Sequence, residues 1–215
     1  MKRLNSLLFA IIVGLSFIFC DKENNINRID LNLDDFEAIS NRFPFEDLKP
    51  DSSVDYWELI YFIDNRAEVL LSSGVKCQGA LEQEECIIRF DKFTNPSDGF
   101  AIDCLPDFCF YFVKYTLEET TTVATKTDEI IRFLGSVDSN ADAILIAFSK
   151  GYKFSTENVE IGGIRETQFG YELLVTKLIN TCNPLRIDRF HLQITTDAEV
   201  TVINSEVYDT SDDCI

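Results

Sequence analysis

The fold is decided by residues 159–208, which read VEIGGIRETQFGYELLVTKLINTCNPLRIDRFHLQITTDAEVTVINSEVY. Four segments of this stretch are rich in Val, Ile, Thr and Tyr, and turns that contain Gly, Asn-Pro or Asp separate them: residues 159–168, 171–181, 185–195 and 199–208. Side chains of these types favour extended backbone, and short turns allow each strand to pair with the next one. The stretch therefore predicts an antiparallel meander of four strands.

Further strands are predicted upstream of this stretch. In residues 104–115, apolar side chains fall on both faces, which is typical of a strand in the interior of a sheet, and residues 120–125 follow as its hairpin partner. Residues 56–72 carry aromatic and β-branched side chains on both sides of an Asp64-Asn65-Arg66 turn. They predict a hairpin, although one long helix would also fit residues 56–71.

Short helices are predicted at residues 34–43, 81–93 and 127–134 and from Ser139 onward. The first has apolar side chains three and four residues apart and ends before Pro44. The third precedes Gly135, which suits a helix C-terminus, and the fourth opens with Ser139 and Asp142 in the spacing of a capping box. We therefore expect an α+β fold in which a mostly antiparallel sheet carries a few short helices on one face.

The first twenty residues have the pattern of an export signal. Lys2 and Arg3 give a positive start, residues 7–19 are almost entirely apolar, and Cys20 ends the run. Because crossing a bilayer as a helix takes about 20 apolar residues, we expect residues 1–19 to be a cleaved signal peptide. Ordinary secretory cleavage after Ser16 and an uncleaved anchor are the alternatives.

Cys20 and the residues around it resemble the lipobox of bacterial lipoproteins, in which a cysteine becomes the first residue and is diacylated. Asp21-Lys22-Glu23 is similar to the acidic tag that follows this cysteine in surface lipoproteins of the Bacteroidetes. The resemblance implies a lipidated Cys20, attachment to the outer membrane through the lipid anchor, and exposure at the cell surface. Residues 20–30 would form a lipidated tether, and residues 31–215, which contain no linker-like stretch, a single globular domain.

The remaining cysteines form an even set: Cys77, Cys86, Cys104, Cys109, Cys182 and Cys214. In an exported protein an even set predicts three disulfide bonds, and proximity in the sequence favours pairing each cysteine with the nearest one, in the order given. A zinc site or a redox pair formed by these cysteines fits less well, because the spacings lack the two-residue intervals of such sites. The domain is therefore expected to be stabilised by disulfides and to hold no metal.

Composition excludes some functions. The chain has 19 Lys and Arg against 37 Asp and Glu, a formal net charge of -18, so no nucleic-acid partner is expected.

The single histidine, His191, is expected on the outer, exposed face of its strand. Asp138, Ser139, Asn140 and Asp142 partly match a calcium loop, but helix capping explains them better, and the acidic residues near the C-terminus fit a solvated tail.

These patterns favour a non-catalytic binding module or an accessory subunit of an outer-membrane complex. An outer-membrane protein is a possible partner, and no cofactor and no catalytic residue is expected. Two alternatives remain open: a small extracytoplasmic glycan hydrolase that uses two carboxylates, and a secreted inhibitor-like protein.

Overall fold

A computed structural model describes residues 32–101, 104, 109–117 and 119–214. Two antiparallel sheets contain most of the ordered elements. The five-stranded sheet has the order β1 (Glu37–Ala38), β6 (Gly163–Thr167), β7 (Gly170–Thr181), β8 (Leu185–Ile194) and β9 (Val200–Ser211). The four-stranded sheet has the order β3 (Arg66–Gly74), β2 (Val54–Ile63), β4 (Cys109–Leu117) and β5 (Thr120–Ala124). Within the described residues there are also three α-helices: α1 (Gln83–Asp91), α2 (Thr127–Leu134) and α3 (Asn140–Ser149).

The α+β class is confirmed, and the strands follow the local sequence signals. β6 to β9 form the expected meander, with a single turn of 3₁₀ helix at Val159–Ile161 in front of it. β2 and β3 form the expected hairpin, and the turn residues Asp64 and Asn65 both have positive φ, 50° and 60°. Two such residues in sequence match the twist of a tight hairpin, which explains why this segment is not a helix.

β4 lies in the interior of its sheet, between β2 and β5, as its two apolar faces predicted. Tyr111, Val113 and Tyr115 face the main core, while Phe110 and Phe112 pack with Ile60 on the opposite face. Residues 105–108 of the predicted strand lie outside the described residues.

The helix predicted at residues 34–43 is wrong. The chain turns at Asp35, whose φ is 68°, and then pairs as β1 with the edge of β6. The Ile39 amide donates to the Gly162 carbonyl at 2.8 Å, and the Ile39 side chain is buried. Pairing with a sheet edge thus supplies hydrogen bonds to backbone groups that a helix would have bonded internally. It also leaves Ile39, one of the apolar side chains of the helical pattern, buried.

The core lies between the two sheets, and α3 runs through it. Residues 141–147 of α3 are all buried, so this helix is covered on every side rather than on the single face expected from its pattern. Its core cluster joins β2 and β4 of one sheet to β6, β7 and β8 of the other. α3 therefore acts as a central layer to which both sheets are fixed.

Gly135 ends α2 as predicted, but only the Ser139 half of the predicted capping box forms at α3, because the Asp142 carboxylate accepts from the Asp138 and Lys49 amides. The Ser139 hydroxyl accepts a hydrogen bond from the Asp142 amide at 3.1 Å, and Gly135 ends α2 with a φ of 73°. At the start of α2, the Glu129 carboxylate accepts from the Thr125 and Lys126 amides at 2.7 and 3.2 Å. These bonds satisfy amide groups that a helix leaves unpaired at its N-terminus.

All six cysteines of the folded part are paired. The pairs are Cys77 with Cys86, Cys104 with Cys109 and Cys182 with Cys214, and their Cα atoms are 6.0, 5.5 and 4.4 Å apart. These are the pairs that proximity favoured. The first links α1 to the segment that follows β3, and the third joins the turn between β7 and β8 to the residues that follow β9.

The expected signal peptide at residues 1–19, the tether at residues 20–30 and Cys20 lie outside the described residues. Among the helices of the described part, none has both the length and the apolar character needed to cross a membrane.

Candidate functional site

The cleft with the most distinctive lining, here called the aromatic cleft, opens beyond the C-terminal end of α3. Its volume is about 350 Å³. It is lined by Arg42, Phe43, Tyr111, Phe148, Lys153, Phe154, Ser155, Thr156 and Glu157. The loop before Pro44, strand β4, the end of α3 and the segment that follows α3 each contribute to this lining.

The rings that line the aromatic cleft support one another. Phe148 makes an edge contact with Tyr111, with ring centroids 5.0 Å apart, and lies 6.4 Å from Phe154. On its other side Phe148 contacts Phe45 at 5.9 Å and Phe100 at 6.1 Å. Because these contacts anchor the rings in the core, the walls of the cleft are fixed before any ligand arrives.

The segment after α3 is also held by its backbone. Lys153 and Thr176 of β7 exchange two backbone hydrogen bonds, each of 2.8 Å. The Ser155 amide donates to the Ile161 carbonyl at 2.9 Å, and Gly162 packs so closely on Ser155 that an added Cβ would lie 1.7 Å from the Ser155 carbonyl oxygen. This wall of the cleft thus behaves as an extension of the five-stranded sheet.

Two cations line the aromatic cleft. Burial lowers the pKa of the Lys153 ammonium, and the side chain of Lys153 is half-buried. Arg42 is exposed, with its guanidinium 5.4 Å from the centre of the Phe43 ring. Burial and the neighbouring Tyr61 raise the pKa of Tyr111, whereas Arg42 lowers it. Arg42 therefore acts electrostatically on the Tyr111 hydroxyl in the wall of the cleft.

A second depression, here called the acidic groove, has the opposite character. It has a volume of about 620 Å³. Its lining consists of Glu46, Asp47, Leu48, Lys49, Asp138, Ser139, Asn140, Glu166 and Tyr171. The Lys49 ammonium donates to the Asp138 carbonyl oxygen at 3.0 Å, so the one cation among the described residues of this lining already has a hydrogen-bond partner in the wall.

Asp142 lies behind the acidic groove and explains the residues that partly match a calcium loop. Its two carboxylate oxygens accept from the amides of Lys49 and Asp138 at 2.9 and 3.0 Å. Burial raises the pKa of Asp142, although these backbone bonds and the Ser139 hydroxyl oppose the rise. Asp142 thus joins the loop before β2 to the start of α3. No group of three or more His, Cys, Asp or Glu side chains placed to hold a metal occurs among the described residues.

His191 is not exposed, contrary to the expectation from its strand pattern. It faces away from the main core as predicted, but its side chain is only 14% exposed. Its Nε2 lies 2.7 Å from Glu172, and Glu172 also accepts from Arg165 at 2.7 Å. Phe36 covers both partners, 5.8 Å from the His191 ring and 4.4 Å from the Arg165 guanidinium. The segment that the sequence predicted as a helix covers this face of the sheet instead.

A buried cluster of charged side chains lies between α1 and the four-stranded sheet. The buried Glu58 pairs with Lys114 at 3.1 Å and with Lys76 at 3.6 Å, and it accepts from the Tyr56 hydroxyl at 2.9 Å. Both ammonium groups also face the Phe90 ring of α1, at 4.2 Å for Lys114 and 4.8 Å for Lys76. These contacts fill the space between α1 and the sheet, so we assign the cluster a role in stability.

The remaining predicted positions do not converge on either depression. No cysteine is among the described residues that line either depression. The acidic residues near the C-terminus are exposed, and Asp213 accepts a hydrogen bond from the Ser211 hydroxyl at 2.9 Å. Sequence reasoning missed the aromatic cleft, whose lining comes from four separate parts of the chain. The pair Phe148 and Phe154, on either side of the end of α3, was the only local signal for it.

Comparison of the chain with models of protein families, with curated proteins and with solved structures gives no match, so the geometry described above is the basis for assigning a function.

Proposed function

We propose that this chain is an outer-membrane lipoprotein, anchored through Cys20 and exposed at the cell surface, that binds a ligand or partner without transforming it. The observation that carries the proposal is the pairing of cysteines. Six of the seven cysteines form three disulfides with one another, so no cysteine of the chain is left to pair with Cys20. Acylation gives that cysteine a chemical role that agrees with its lipobox-like setting. Disulfide bonds also agree with an exported domain.

The aromatic cleft supports a binding role for the domain. Fixed apolar walls with a few charged groups at the rim are typical of small-molecule sites. A tether of about ten residues would separate such a site from the lipid and leave it open to solvent, as an accessory subunit or a capture module at a surface requires.

The first test concerns the anchor. We expect the intact mass of the mature protein from membranes to correspond to a chain that begins at Cys20 and carries acyl groups, and the protein to partition into detergent. The variant Cys20→Ala should lose both properties. Mature protein that begins at another residue, or that stays in the aqueous phase, would contradict the proposal.

The second test concerns the partner. Affinity purification from membranes solubilised in mild detergent should recover a specific outer-membrane protein with the wild-type chain. Recovery of the bait alone would count against the accessory-subunit form of the proposal. The Cys20→Ala chain is the control for recovery that depends only on a shared membrane.

The acidic groove favours one second candidate, a glycan hydrolase. Asp138 and Glu166 line the same polar depression, and both act on Tyr171, where burial and these negative charges raise the pKa. A hydrolase needs two carboxylates on opposite sides of the glycosidic bond. Release of reducing sugar by the wild-type chain, and its loss in both Asp138→Asn and Glu166→Gln, would establish this candidate in place of the binding module.

A further inference from the structure

We propose that the protein binds water internally at the end of the four-stranded sheet that α1 covers. Among the described residues, three side-chain oxygen atoms are shielded from solvent and have no hydrogen-bond partner in the protein: Asp55 Oδ2, Thr116 Oγ1 and Thr121 Oγ1. Buried polar groups are almost always hydrogen-bonded, either to the protein or to ordered water. This site is separate from the aromatic cleft and does not depend on the proposed function.

The three atoms belong to neighbouring residues of the sheet. Thr116 of β4 and Thr121 of β5 are direct cross-strand partners. The side chains of such a pair lie on the same face, with Cβ atoms about 4.5 to 5.5 Å apart. On the other side of β4, Thr116 pairs with Tyr56 of β2, where the register shifts by one residue. Asp55 is the extra residue of this β-bulge, so the three residues occupy adjacent positions on three consecutive strands.

The two hydroxyls lie under α1. Lys114, two residues before Thr116 on β4, has its ammonium 4.2 Å from the centre of the Phe90 ring of α1. Because side chains two residues apart in a strand point to the same face, Thr116 and its partner Thr121 also face α1. Tyr56 contacts Phe90 as well, with ring centroids 5.4 Å apart. α1 thus covers both hydroxyls, and Thr116 is fully buried.

The start of α1 and the segment before it cover this end of the sheet. An added Cβ on Gly79 would lie 3.6 Å from Asp55 Oδ2, so the backbone of Gly79 packs against this carboxylate. The Leu81 amide donates to the Glu119 carboxylate at 2.8 Å, in the turn between β4 and β5. Cys86 is fully buried, and its Sγ lies 3.8 Å from the Glu119 carbonyl oxygen. These contacts hold α1 over the three oxygen atoms.

Water fits the chemistry of these atoms. A threonine hydroxyl both donates and accepts hydrogen bonds, and an ionised carboxylate only accepts them. Water has two donors and two acceptors and pairs with both kinds of group, whereas a metal ion cannot accept the hydroxyl protons. Buried waters typically make about three hydrogen bonds to polar groups that the protein leaves unpaired. The Asp55 carboxylate and the hydroxyls of Thr116 and Thr121 provide this number of groups.

Thermal unfolding of the purified mature chain tests this proposal, because bound water determines the sign of the effect. In Thr116→Val a methyl group of about the same size replaces the hydroxyl. If water bonds to the hydroxyl, the other partners of that water lose a bridge, and Tm should fall by about 2 to 10 °C. Loss of a hydroxyl without a partner would instead remove the cost of burying it, so an unchanged or raised Tm would overturn the proposal.

The double variant Thr116→Val with Thr121→Val tests whether the two hydroxyls share the water. Its loss of Tm should be clearly smaller than the sum of the two single losses, since the first substitution has already weakened the partner of the second hydroxyl. Additive losses would contradict a shared site. Thr120→Val is the matched control: Thr120 precedes Thr121 on β5 but is exposed, so Tm should change by at most about 2 °C.

A crystal structure of the mature chain gives a readout that does not depend on the stability of variants. We expect a water oxygen within about 3.2 Å of both Thr116 Oγ1 and Thr121 Oγ1. A dry space beside these hydroxyls would refute the site. A rise in Tm on addition of millimolar calcium that Asp55→Asn abolishes would also refute it, because that result would identify a cation in place of water.

Discussion

The buried ion pair under α1 gives the sharpest test of the structural reasoning. The Glu58 side chain is 8% exposed and the Lys114 side chain 11% exposed, and Glu58 Oε2 lies 3.1 Å from Lys114 Nζ. The variant Glu58→Leu replaces the carboxylate by an apolar side chain of similar volume and so removes the counter-ion of the Lys114 ammonium. Breaking one partner of a buried pair costs about 3 to 5 kcal/mol of unfolding free energy. For a domain of this size the loss should lower Tm by roughly 6 to 20 °C.

Urea unfolding with the disulfides intact, followed by circular dichroism, measures this loss. The double variant Glu58→Leu with Lys114→Met removes both charges and should recover most of the stability, because replacing both partners of a buried pair by apolar residues is often neutral. Glu68→Leu is the matched control: Glu68 lies on the neighbouring strand β3 but is exposed, so its loss should change stability by at most about 0.5 kcal/mol. A cost below about 1 kcal/mol for Glu58→Leu, or a double variant no more stable than the single one, would refute a buried, mutually dependent pair.

Three further predictions concern the ends of elements and the cross-links. Hydrogen bonds from backbone amides lower the pKa of Glu129 below its ordinary value of 4.5. The contribution of Glu129 to folding stability is therefore present above pH 4.5 and is lost as the pH falls through the lowered pKa. Urea unfolding should show that Glu129→Gln costs about 1 kcal/mol at pH 7 and much less near pH 2. Gly162→Ala should displace Ser155, because the added Cβ would lie 1.7 Å from the Ser155 carbonyl oxygen, and thermal unfolding should show a lower Tm than that of the wild-type chain. Replacing the Cys182–Cys214 pair by serines should cost about 3 to 4 kcal/mol and replacing the Cys104–Cys109 pair about 2 kcal/mol, since the first closes 32 residues and the second only 5; equal losses in chemical unfolding would contradict this ranking.

Features set by neighbouring residues could be predicted from the sequence. Two successive residues with positive φ specify a hairpin turn at Asp64 and Asn65, and the Ser139 hydroxyl and Gly135 specify helix ends through bonds that span only a few residues. The meander of β6 to β9 belongs to the same group, because each strand pairs with the next one along the chain. In each of these cases the residues that interact are close in the sequence, so the local sequence pattern is enough to predict the interaction.

Features set by distant residues could not be predicted in this way. The division of the strands into two sheets depends on α3, whose apolar residues cover the whole circumference and therefore do not indicate one neighbour. The segment at residues 34–43 has a helical spacing of apolar side chains, but it is recruited as an edge strand by β6, more than a hundred residues later. The aromatic cleft is of the same kind, since Arg42, Tyr111 and Lys153 share no local pattern.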